Sequence, residues 1–126
     1  EMGHSDRLVI ADGNFPVMSM GKNAQIIRMD GHGVPEILDA ILKVFPLDTY
    51  IEKPVNLMEV MPGDDVQTPI WDVYKKTVEK YDERGKNAIG EIERFKFYEE
   101  TKTAYAVIAT SEKALYANIM LQKGVV

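Results

Sequence analysis

The sequence contains no cysteine, so it cannot build a disulfide framework, a thiol nucleophile or a thiolate metal site. Histidine is almost as scarce: His4 and His32 are the two residues of that type. Basic side chains are outnumbered, with 15 Lys and Arg against 20 Asp and Glu and a net charge of −5. The cations are scattered along the chain, which argues against a nucleic-acid or anionic-membrane partner. No apolar stretch approaches membrane-spanning length, so no membrane partner is expected. Gly31-His32-Gly33 lacks the third glycine of a dinucleotide loop. Repeats and low-complexity tracts are missing too. A cysteine-free acidic chain of this kind fits a cytoplasmic protein.

What is present reads as one α/β domain over residues 1–126. The hydrophobic fraction of 45% and charged fraction of 28% are those of a globular protein with a real core. Arg7–Ala11 is short, β-branched and bounded by turn residues, as a buried strand should be. Further strands are expected at 25–29, 55–61, 105–109 and 119–122, with a loop over 12–24. Pro35 suits the first turn of a helix whose apolar positions run to Phe45 before Pro46 stops it. Thr68-Pro69 reads as a cap and first position of a second helix, with Ile70, Tyr74, Val78 and Tyr81 on one stripe, reaching about Arg84. The segment 92–102 is ambiguous by spacing and is read as a short helix. Strands alternating with helices imply a mixed, mostly parallel sheet flanked by helices.

Two polar residues flank the first strand. His4 stands ahead of it and Asp12 just past its carboxyl end, where α/β folds usually place ligands. Taken singly, a loop histidine is more often a surface or capping residue, and an aspartate in a turn is common for backbone reasons. His32, between two glycines, reads as part of a tight turn. Arg94 precedes a run of aromatics, and its bland reading is an ion pair with Glu93 or Glu99. Tyr116 and Asn118, two apart in a segment read as extended, would face the same side and reach one polar ligand. A metal site at His4, Asp6 and Asp12 matches no established spacing, so no metal is expected.

In order along the chain, Gly3-His4-Ser5-Asp6, Ile10-Ala11-Asp12 with Asn14-Phe15-Pro16, Ile27-Arg28-Met29-Asp30-Gly31, Leu47-Asp48-Thr49-Tyr50, Glu93-Arg94-Phe95-Lys96-Phe97-Tyr98-Glu99, and Tyr116-Ala117-Asn118 with Lys123-Gly124-Val125 resemble the fucose mutarotase and ribose pyranase family throughout. The combination is specific, although no single piece is. The resemblance implies a ribose pyranase-like fold, a proton-donating role for His4, and sugar binding at Asp12, Arg94, Tyr116, Ala117 and Asn118. Arg94 points to the fucose branch, since the ribose branch typically has histidine there. Two departures stand out: Gly13-Asn14 where some fucose-branch members have Ala-His, and Ala117 where glycine is common. The family's ring-like, decameric homo-oligomers with sites shared between subunits are implied as well. So is a helix ahead of the Gly-His motif, which the abrupt start of the chain also leads one to expect.

The chemistry implied is the interconversion of the α and β anomers of L-fucose. A ring oxygen must gain a proton while the anomeric hydroxyl loses one, so a positioned histidine and a second carrier suffice, without metal or redox cofactor. Tyr116 is the candidate second carrier, and Phe15 and Met18 are candidates for an apolar wall against the methyl group of a 6-deoxy sugar. Eight residues separate His4 from Asp12, up to about 26 Å if extended, more than a pyranose spans. Either the chain folds back before Arg7 or the two residues meet from different subunits, and the second reading is favoured. Two alternatives remain: a ribose pyranase or broader aldose mutarotase, and a sugar-binding regulatory module without catalysis.

Overall fold

The computed structural model describes residues 2–126, so Glu1 lies outside it. Six strands form one mixed sheet in the order β2-β5-β1-β6-β3-β4. They are β1 (Arg7–Ala11), β2 (Gln25–Met29), β3 (Val55–Met58), β4 (Ile89–Ile92), β5 (Ala106–Thr110) and β6 (Ile119–Gln122). β6 runs antiparallel to both neighbours, β1 and β3, while the β1·β5, β2·β5 and β3·β4 pairs are parallel. The expectation of a mixed, mostly parallel sheet therefore holds.

Period-two alternation along β1 feeds two separate cores. Leu8 and Ile10 face a core built with α2 (Val34–Leu42) and α3 (Ile70–Tyr81), including Val34, Leu38, Tyr74 and Val78. Val9 and Ala11 face a smaller core on the opposite side, with Phe15 and Phe97 from the region of α1 (Val17–Met20) and α4 (Arg94–Thr101). Both faces of β1 are thus dry, which is why its sequence is apolar without interruption.

Several segments differ from the sequence expectation. The loop over 12–24 contains the one-turn α1, and β3 stops at Met58, three residues early. β4 was not anticipated: Ile89-Gly90-Glu91-Ile92 is a four-residue edge strand with a central glycine, and its pairing with β3 creates it rather than any local preference. A Cβ at Gly90 would stand 3.0 Å from Asn56 Oδ1 and 3.2 Å from the Lys53 side chain, so a larger residue there would require those side chains to shift. Helix α3 ends at Tyr81, and Gly85 opens a separate 3-10 turn at a φ of 55°. Thr68 lies before Pro69, which itself occupies the N-cap position without a side-chain cap. The ambiguous segment resolves into the end of β4 and the helix α4, capped by the Glu93 carboxylate on the N–H groups of Phe95 and Lys96.

Candidate active site

β1, β3 and β4 run the same way, and their carboxyl ends converge with the entrance to antiparallel β6. A cavity of about 230 Å³ opens there, lined by Asp12, Asn14, Phe15, Met58, Arg94, Tyr98, Leu115, Tyr116 and Asn118. Four residues singled out in the sequence meet in it: Asp12, Arg94, Tyr116 and Asn118. The volume lies below the roughly 300–1,000 Å³ of pockets for drug-sized ligands, which suits a smaller polar molecule.

Asp12 and Asn118 are locked to each other across the β1 and β6 ends. The Asp12 N–H donates to Asn118 Oδ1 at 2.7 Å, and the Asp12 carboxylate accepts from the N–H groups of Asn14 (3.0 Å) and Ala117 (3.3 Å). Burial pushes the Asp12 carboxyl above its ordinary pKa, against the opposing effect of those N–H donors. With its Oδ1 engaged, the Asn118 side chain keeps its Nδ2 donors without a partner among the described residues.

Arg94 forms no ion pair with Glu93 or Glu99, contrary to the bland expectation. Glu93 is occupied as the α4 cap, and Glu99 pairs with Lys102. The Arg94 Nε donates instead to the Tyr98 hydroxyl at 3.0 Å, and its guanidinium lies 5.5 Å from the Tyr98 ring centre and 5.6 Å from that of Phe95. This leaves both Nη groups without hydrogen-bond partners among the described residues.

Tyr116 is not extended, as expected from its spacing to Asn118, but left-handed at a φ of 53°. A bulky residue is uncommon there and the conformation is strained by roughly 1–3 kcal/mol. The surroundings over-determine it: Trp71 Nε1 donates to the Tyr116 carbonyl at 2.8 Å, the Tyr74 hydroxyl donates to the Ala117 carbonyl at 2.7 Å, and the Ala117 N–H reaches Asp12. The phenol is therefore aimed into the cavity by backbone geometry. Its hydroxyl donates to Asp64 and accepts from the Met61 N–H at 3.2 Å, and the Asp64 bond raises the Tyr116 pKa. Ala117 takes part through its backbone alone, since its buried side chain does not line the cavity. Its φ is not positive, so no glycine is needed at that point.

Met18 is corrected as a wall residue. It is 74% exposed and outside the cavity, whose apolar lining comes from Phe15, Met58 and Leu115. His32 sits in a turn after Gly31, whose φ is 84°, and contacts Glu36 at 2.9 Å. No group of three or more His, Asp or Glu side chains able to hold a metal ion occurs among the described residues. No helix among them is long and apolar enough to cross a membrane.

His4 lies at the opposite end of the central strand β1, ahead of its first residue, and lines no part of the cavity. Its Nε2 is 3.2 Å from Asp48 Oδ1, and its ring meets the Tyr50 ring edge-on at 4.8 Å. Asp48 is buried and also accepts from the Tyr50 N–H at 2.9 Å and from Gln122 Nε2 at 2.9 Å. Burial alone would raise its pKa, but these three donors together outweigh that and hold it below the ordinary carboxylate value. Sequence reasoning did not single out Asp48 or Asp64, because each is linked to its partner only through long-range folding.

The model of the RbsD / FucU transport protein family matches residues 1–126. The chain belongs to that family. The fucose mutarotase of Homo sapiens is 47% identical over 98% of this chain and 82% of its own length. The crystal structure of FucU from Bifidobacterium longum is 67% identical with a TM-score of 0.98, covering 100% of this chain and 89% of that one. The fucose mutarotase of Streptococcus pneumoniae in complex with L-fucose is 44% identical with a TM-score of 0.93, covering 100% and 87%. The two solved structures share the α/β fold with its mixed six-stranded sheet.

Proposed function

We propose that the protein is an L-fucose mutarotase, an isomerase that interconverts the α and β anomers by opening and reclosing the pyranose ring. The observation that carries this reading is the convergence of Asp12, Arg94, Tyr116 and Asn118 on one small cavity, in a fold that a fucose-bound relative shares. Arg94 offers free Nη donors and Asn118 a free amide, while Asp12 supplies a carboxylate acceptor. A polyol is recognised by such a mixture of donors and acceptors, with charge-assisted bonds the strongest. Phe15, Met58 and Leu115 give the cavity an apolar side for the methyl group of a 6-deoxy sugar.

In the ring-opening step, the proton on the anomeric oxygen leaves, that oxygen's electrons form the aldehyde C=O, and the bond from C1 to the ring oxygen breaks. His4 delivers a proton to the departing ring oxygen. Tyr116 takes the anomeric proton while passing its own to Asp64, with which it is already hydrogen-bonded. Reclosure on the other face of the aldehyde runs the same transfers in reverse, so both residues end as they began.

His4 and the cavity stand at opposite ends of β1, so the reading includes a homo-oligomer in which one subunit's His4 completes the cavity of another, in a decameric ring acting in the cytoplasm. The test is anomer exchange followed by NMR with L-fucose and with D-ribose. Exchange should be accelerated more for L-fucose and return to the solution rate in His4→Ala. Binding without acceleration would favour a non-catalytic sugar-binding module, and a preference for D-ribose a ribose pyranase.

A further inference from the structure

The first turn of a helix is an unfavourable place for a cation, because the free N–H groups there form the positive end of the helix dipole. Arg94 nevertheless occupies the first position of α4, exposed and without an ion pair among the described residues. A long side chain of this kind loses much rotamer freedom when it is held still. What holds it is Tyr98, four residues on and therefore on the same face of the helix. The Tyr98 hydroxyl accepts from Arg94 Nε at 3.0 Å, and the guanidinium carbon lies over the phenol ring, 5.5 Å from its centre. The phenol is fixed in its turn. Its ring meets those of Phe15 and Phe95 edge-on, at 5.5 Å and 6.1 Å between centres, and Phe15 is buried in the smaller core.

A guanidinium is a rigid plane, so a bond at Nε that fixes this plane fixes both Nη groups with it, which a lysine could not offer. Those Nη groups are the ones left without partners among the described residues. We propose that Tyr98 is the positioning residue for Arg94: its hydroxyl and ring hold the guanidinium at the cavity wall before the sugar arrives, so that both Nη groups meet ring hydroxyls without having to be ordered first. The inference rests on the reading of the cavity as a sugar site, and adds how the one cation in its lining is prepared for the ligand. Preorganisation of this kind strengthens binding by removing an ordering cost that would otherwise be subtracted from it. It acts on the grip and not on proton transfer, because the Tyr116 hydroxyl has its own partners in Asp64 and the Met61 N–H.

The test is calorimetry with L-fucose in a double-mutant cycle, on the full chain in its native assembly. Tyr98→Phe keeps the ring contacts with Phe15 and Phe95 and removes only the hydroxyl. It should raise the L-fucose Kd by roughly three- to tenfold, the ordering cost of one long side chain. KM for anomer exchange should rise by the same factor, while kcat falls far less. In an Arg94→Ala background the same substitution should change Kd by less than about twofold, since no guanidinium is left to orient. An unchanged Kd in Tyr98→Phe alone overturns the inference. A loss as large without Arg94 as with it also overturns it, since the phenol would then grip the sugar by itself. Both of these results leave the mutarotase reading intact. A wild-type protein that binds L-fucose without accelerating its exchange removes the mutarotase reading alone, because the role of Tyr98 is read in Kd. A wild-type protein that does not bind L-fucose removes both.

Discussion

In the proposed mutarotase, the two ends of β1 divide the work of one site. At the carboxyl end, Asp12, Arg94, Tyr116 and Asn118 surround a cavity with donors and acceptors, but no histidine lines it. At the amino end, His4 is backed by a buried carboxylate, but it lines no part of that cavity. On the proposed reading, five residues of strand separate the groups that grip the polyol from the group that moves a proton. Even the carboxylates differ: burial wins at Asp12 and raises its pKa, whereas donors win at Asp48 and lower it. On that reading neither end is a complete site, so assembly and activity should be inseparable.

The sharpest way to break this comparison is to disable each end in a different subunit. At sub-saturating L-fucose, His4→Ala and Arg94→Ala homo-oligomers should each lose most exchange, about 10²-fold or more for the histidine. After dissociation and mixing in equal amounts, about a quarter of shared sites should combine an intact His4 with an intact Arg94, and exchange should return to that extent. No recovery would mean that each subunit completes its own site.

Arg94→Ala on its own should weaken the grip more than the chemistry. The loss of hydrogen bonds from a charged donor, about 1.5–3 kcal/mol, should raise the L-fucose Kd by roughly one to two orders of magnitude by calorimetry. A fall in kcat alone, at unchanged Kd, would place Arg94 among the proton-moving groups instead.

How far the sequence carried this division depends on the range of the contacts. β1, β2 and β6 were legible to the residue because their apolar runs are short and bounded by turn residues. Cavity residues Asp12, Arg94, Tyr116 and Asn118 were singled out as candidates, their sugar-binding role coming from the family resemblance, and the separation of His4 from Asp12 followed from strand rise alone. The left-handed turn at Tyr116 was not, because it is imposed by Trp71, Tyr74 and Asp12, far away in the chain. Asp48 escaped for the same reason: its partners His4 and Gln122 lie 44 and 74 residues away.

Tyr74→Phe probes the cavity end through its support. The Tyr74 hydroxyl satisfies the buried Ala117 carbonyl, so the variant should lose about 1–2 kcal/mol of stability in denaturant unfolding. The Ala117 N–H holds Asp12, so L-fucose binding should weaken slightly too. The His4–Asp48 contact should persist, because Tyr74 takes no part in its hydrogen bonds.

The smallest effect has opposite signs at the two ends. Asp48, with a folded pKa below its ordinary 3.8, contributes stability that is complete above that value and is lost as pH falls through the folded pKa. Asp12, with a folded pKa above 3.8, contributes stability that is complete below that value and is lost as pH rises through the folded pKa. Melting curves from pH 3 to neutrality should therefore diverge. Asp48→Asn should lose ground to wild type as pH rises, because the variant lacks the carboxylate that the donors favour. Asp12→Asn should gain ground over the same range, because the amide escapes the desolvation that the ionised carboxyl suffers. If both variants moved the same way with pH, the two carboxylates would share one electrostatic environment and the contrast between the ends of β1 would fail.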